Sequence, residues 1–100
     1  MNASAAAALG LLVVSAVGHA ADPDLPRNLA AGCTGCHGTE GRAVSGTGFD
    51  SLAGIDQARI MQKLVDFKSG VRPATVMQQI VKGYSDEQLA LIAAHFSAQR

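Results

Sequence analysis

Apolar and polar positions divide this chain into an unpatterned apolar head and a body with helical periodicity. From Ala5 to Val17 the residues are apolar and alanine-rich, interrupted by Gly10 and Ser15, and no charged residue precedes Asp22. Beyond that point the apolar positions recur at helical spacing. Asp24 is placed to cap a first helix near Leu25, with Pro26 tolerated in its first turn and the apolar run Leu29-Ala30-Ala31 leading toward Cys33. From Gly35 to Gly54 six glycines occur without any period, which predicts a long loop wrapped around something. Asp56 then caps an amphipathic helix to about Lys68, with Ile60, Met61, Leu64 and Val65 on one face and Arg59, Lys63 and Asp66 on the other. Ser69-Gly70 ends it. Thr75 is placed to cap a short stretch, Val76 to Lys82, closed by Gly83. Ser85-Asp86-Glu87-Gln88 has the form of a capping box and opens a last helix that buries Leu89, Ile92, Ala93 and Phe96 and ends near Arg100. No window alternates like a strand. The expected fold is all-α, with about four short helices.

The head changes the domain assignment. An apolar run of this length is too short for a bilayer core of about 30 Å, which needs roughly 20 residues, and Gly18-His19-Ala20 supplies small residues at a cleavage site. Residues 1–20 are therefore expected to be a signal peptide, cut after Ala20 or, nearly as well, after Ala21. The alternative is an uncleaved anchor. Residues 21–100 form one domain, exported to the periplasm and with no membrane span after cleavage. Eight Lys and Arg balance eight Asp and Glu, and aromatic residues make up 4% of the chain. That balance excludes a basic nucleic-acid binder, and so few rings leave no stacking platform. Such a small domain ordinarily needs a staple, and two cysteines permit at most one internal disulfide. A bound cofactor is the expected staple.

Cys33-Thr34-Gly35-Cys36-His37 supplies it. CxxCH is the attachment sequence for c-type haem. Two thiols three residues apart on a helical turn both reach the vinyl groups on one porphyrin edge, and the adjacent histidine projects to the iron. A thioredoxin-like pair requires a strand context that this chain lacks, and zinc requires more cysteine or histidine than the neighbourhood offers. One covalent haem c is expected, with Cys33, Cys36 and His37 holding it.

The CxxCH turn, together with the run Ala74-Thr-Val-Met-Gln-Gln-Ile-Val-Lys-Gly-Tyr-Ser-Asp-Glu-Gln and onward to Ala-Ala-His-Phe96, resembles the class I c-type cytochromes. Within them it is most similar to the haem subunit of flavocytochrome c sulfide dehydrogenases and to small bacterial cytochromes c. The resemblance covers roughly residues 25–98. It implies the class I cytochrome c fold around the haem and electron transfer with no catalysis of its own. The implied partner is a redox protein, with a flavoprotein sulfide dehydrogenase subunit as the specific candidate. It implies that Met77 is the sixth iron ligand. Met61 sits on a packing face and His95 flanks the packing face of the last helix; these are the competitors. In the family the proximal histidine hydrogen-bonds to the carbonyl of a proline two residues before Leu-Ala-Gly. Here Leu52-Ala53-Gly54 is kept and Asp50 stands at the proline position. Arg72 and Tyr84 are candidate propionate partners by their place near Met77, the alternative being an exposed arginine and a half-buried tyrosine. A haem-based sensor with a labile Met77 is the alternative function, and thiol–disulfide chemistry by Cys33 and Cys36 a remote third.

Overall fold

The computed structural model describes residues 22–100, together with Ala7 and residues 10–13. The expected cleavage site at residues 18–21 lies outside the described residues, as does most of the segment before it. The described chain is helical. Its elements are α1 (Leu25–His37), a 3-10 turn (Thr39–Gly41), α2 (Gln57–Ser69), α3 (Met77–Val81) and α4 (Asp86–Ser97), with no strand among the described residues. No helix among them is long and apolar enough to cross a membrane.

α1 departs from expectation at both ends. Asp24 occupies the N-cap position, but its side chain makes no capping bond. Its backbone is already helical, and its own N–H donates to the Asp22 carboxylate at 2.9 Å. At the other end the helix continues past Gly35 and through the whole Cys33–His37 motif. A glycine inside a helix costs about 1 kcal/mol relative to alanine, which packing of the rest of α1 on α4 outweighs. Thr34 Oγ1 donates to the Ala31 carbonyl at 2.9 Å, so the polar residue of the motif is satisfied within the helix. The helix stops at Gly38, at φ 86° and ψ 163°. Side chains other than hydrogen are all but excluded from that backbone region.

The loop that follows is pinned. The Gly41 carbonyl accepts from Leu52 N at 2.7 Å and Ala53 N at 3.1 Å, and Gly54 N donates to the Phe96 carbonyl at 2.9 Å. A Cβ on Gly41 would lie 2.7 Å from the Phe96 ring, so the chain touches the core there because position 41 has no side chain.

α2 begins as its sequence predicts, Asp56 accepting from Arg59 N at 3.2 Å, and ends at Gly70 in the left-handed region. It buries Ile60 and Leu64 and half-buries Met61, whereas Val65, expected on the same face, is exposed. α3 is a five-residue piece that Thr75 does not cap. α4 carries the capping box in full: Gln88 N donates to Ser85 Oγ at 3.1 Å, and Ser85 N donates to Gln88 Oε1 at 2.9 Å.

α4 is the centre of the packing. α1 and α2 each lie against it, and α3 lies against α2. Leu89, Ile92, Ala93 and Phe96 are fully buried, the four positions the period assigned, and Ala30, Ile60, Leu64 and Val81 close the core around them. At the far edge Lys68 Nζ donates to the Tyr84 carbonyl at 2.8 Å and pairs with Asp86 at 3.0 Å, joining the end of α2 to the start of α4.

Candidate functional site

α1 and α2 each pack on α4, and a cavity of about 450 Å³ is lined by residues of both. Its floor is apolar, made by Ile60, Leu64, Ile92 and Phe96. Cys33, Cys36 and His37 line it from the last turn of α1, and Met77 lines it from the start of α3. All four residues singled out in the sequence therefore face one space.

Each is positioned by its element. The helical turn sets the two thiols three residues apart, with Cys36 exposed and Cys33 half-buried. Burial pushes the Cys33 thiol above its ordinary pKa, because a thiolate there would lose hydration. His37 Nδ1 donates to the Asp50 carbonyl oxygen at 2.7 Å. The bond expected of a proline carbonyl survives with aspartate in its place, since it needs only the backbone. With Nδ1 engaged, Nε2 is the nitrogen free to act as a donor atom. The Phe49 ring stands edge-on to the imidazole, centroids 6.0 Å apart, so the ring is held from a second side.

The competitors for the Met77 role lie elsewhere. Met61 packs against the core and does not line the cavity. His95 is turned toward Glu40, Nε2 to Oε2 3.6 Å, and stacks edge-on against Phe96. Of the two side chains expected at propionates, Arg72 lines the cavity, with its guanidinium 5.1 Å above the Phe67 ring. Tyr84 does not. Its hydroxyl reaches α1, donating to the Leu29 carbonyl at 3.5 Å beside Gly32. Arg59 and Lys63 also line the cavity, although helical periodicity had put them on the solvent side of α2. Their i, i+4 spacing directly before Ile60 and Leu64 was the available signal.

The donor set has a definite chemistry. Two thiols on one turn, an imidazole with its second nitrogen fixed, and a soft thioether across an apolar cavity fit a planar iron macrocycle attached at one edge and ligated on both faces. The volume lies within the range of about 300–1,000 Å³ usual for pockets that bury a sizeable ligand. A zinc ion has no comparable set, since no group of three His, Cys, Asp or Glu side chains is gathered among the described residues.

Four helices around such a site define a small class I c-type cytochrome. Comparison with known proteins gives the same answer, and the chain belongs to that family. No family model matches it. It is 43% identical over 68 residues to the cytochrome subunit of sulfide dehydrogenase of Chlorobaculum tepidum, covering 68% of this chain and 60% of the relative. It is 39% identical over 69 residues to the thiosulfate dehydrogenase electron acceptor of Stutzerimonas stutzeri, 69% of this chain and 32% of that protein. The match to cytochrome c-554(548) of Halomonas halodenitrificans is 31% over 70 residues, covering 67% of this chain and 83% of the relative. The chain thus spans less than two thirds of the length of the first two relatives.

Proposed function

We propose that this chain is a one-electron transfer protein carrying a single covalent haem c. In this reading Cys33 and Cys36 would hold the haem through thioethers, and His37 and Met77 would hold its iron. The observation that carries it is the placement of the CxxCH turn and Met77 on one apolar cavity, with His37 Nδ1 already bonded to the Asp50 carbonyl. Bound there, haem c supplies a ferric/ferrous couple. The hydrogen bond to Asp50 fixes the imidazole tautomer and ring orientation. Ile60, Leu64, Ile92 and Phe96 would exclude water from the bound group, and the soft Met77 thioether would favour its ferrous state. With both His37 and Met77 holding the iron, no position would remain for a substrate, and the protein would pass electrons without catalysis of its own.

The protein works in the periplasm after removal of residues 1–20, leaving residues 21–100 as the haem domain. Its partner is a redox protein. The similarity to a sulfide dehydrogenase cytochrome subunit supports a flavoprotein sulfide dehydrogenase subunit as that partner. A neutral overall charge supports a stable apolar contact over long-range steering, and Phe49 and Val76, both exposed at the cavity, offer one.

Acid–acetone extraction of the periplasmic protein tests the attachment. Colour retained by the polypeptide, and lost on replacing Cys33 and Cys36 together by Ala, is the expected result. Colour passing into the solvent from the unaltered protein would overturn it. Purification from the native host under non-dissociating conditions tests the partner: a flavin-containing protein should copurify, and a haem protein migrating alone would contradict that assignment.

A further inference from the structure

Three cations line the cavity, and they are not equivalent. Arg72 is engaged with the Phe67 ring, whereas Arg59 and Lys63 have no carboxylate and no side-chain hydrogen bond among the described residues. Arg27 pairs with Glu40 at 3.9 Å and Lys68 with Asp86 at 3.0 Å, and neither lines the cavity. Arg59 and Lys63 are one helical turn apart on α2, so they present two charges on one strip of its surface. Lys63 is half-buried. A partly desolvated ammonium in a cavity calls for an anion, and Asp50 is the one acidic residue lining it among the described residues. Arg59 is exposed, so both charges stay accessible to a carboxylate-bearing ligand entering the cavity.

Haem brings two. Its propionate carboxylates leave the macrocycle from the side away from the vinyl groups, which the α1 cysteines hold. Building on the haem reading above, we propose that Arg59 and Lys63 form the propionate-binding edge of the site and that their charge raises the reduction potential. Arginine suits bidentate pairing with a carboxylate, and lysine acts as a point charge. A cation at this edge disfavours ferric iron, which carries one more positive charge than ferrous. Removing it lowers the potential, both directly and by leaving a propionate charge uncompensated.

The test is a spectroelectrochemical titration of the holoprotein and of the variants Arg59→Gln, Lys63→Gln and the double replacement. Lys63→Arg serves as the charge-conserving rescue, and Arg27→Gln as a control cation outside the cavity. Each glutamine variant should shift the ferric-to-ferrous ratio at fixed poise toward ferric by about two- to seventeenfold. That is the range Coulomb's law gives for unit charges on the order of 10 Å apart between watery and surface dielectric values. The double variant should shift further and the shifts shrink in high salt, while Lys63→Arg and Arg27→Gln stay near the unaltered protein. Unchanged potentials in Arg59→Gln and Lys63→Gln, with covalent haem and its Met-ligand absorption intact, would overturn this proposal alone. Absence of covalent haem from the unaltered protein would overturn the functional reading and this proposal with it.

Discussion

Replacing Gly38 by alanine puts a methyl group where the chain has no room for one. Gly38 ends α1 immediately after His37, at φ 86° and ψ 163°, and a Cβ there would lie 1.8 Å from the Arg42 carbonyl oxygen and 2.4 Å from its carbon. Both obstacles are backbone, so no side-chain rotation relieves them. Backbone strain alone costs about 1–3 kcal/mol for a residue with a side chain in this region. Moving the chain instead disturbs the turn bonds from Gly41 N to Gly38 O at 2.9 Å and from Arg42 N to Thr39 O at 3.0 Å, each worth about 1 kcal/mol net. The expected loss is on the order of 3–5 kcal/mol. For a domain of this size that lowers Tm by at least about 12 °C. Gly46→Ala is the control: it has a similar positive φ of 80° and nothing within 4 Å, so it should cost about 1–2 kcal/mol. Denaturation of the holoproteins followed by far-ultraviolet circular dichroism reads the difference. Equal losses in the two variants would refute the argument that steric exclusion, rather than handedness alone, fixes glycine at position 38.

The apoprotein should be largely unfolded, because only eight hydrophobic side chains are buried among the described residues and four of them, Ile60, Leu64, Ile92 and Phe96, border the cavity instead of packing on all sides. A helical signal and a cooperative melt equal to those of the holoprotein would contradict this. Ser85→Ala removes one half of the capping box and should destabilise the holoprotein by about 1 kcal/mol, with its absorption spectrum unchanged. Leu89→Ala, at 1% exposure, should cost about 2–5 kcal/mol in chemical denaturation.

The parts of this fold that the sequence made legible are those where one element faces one neighbour. α4 packs with a single apolar stripe, and its period named Leu89, Ile92, Ala93 and Phe96 correctly. Its start and that of α2 were legible because Ser85 and Asp56 act on their own helix's first turn. α2 was harder to read. It faces α4 on one side and the cavity on another, so Arg59 and Lys63 look solvent-facing to a two-sided pattern while lining the site. Val65 was drawn into the core by the same assumption. The end of α1 was misjudged because Gly35 reads locally as a breaker, whereas the attachment motif requires a helical turn. Tyr84 sits close to Met77 in sequence, but its hydroxyl is directed to α1, a choice made by tertiary packing. The CxxCH turn and Met77, the latter implied by the family resemblance, line one cavity, and the carbonyl at position 50 accepts from His37 as the same resemblance implied.

The assignment of Met77 as the sixth ligand is tested most directly by the near-infrared sulfur-to-iron absorption band of the ferric protein. The band should be present in the unaltered protein and in Met61→Ala, whose side chain packs on the core. It should vanish in Met77→Ala, with the iron opened to carbon monoxide and the potential lowered. A band that survives Met77→Ala and disappears in Met61→Ala would contradict the account. So would low-spin six-coordinate iron in both variants, which would assign the ligand to His95.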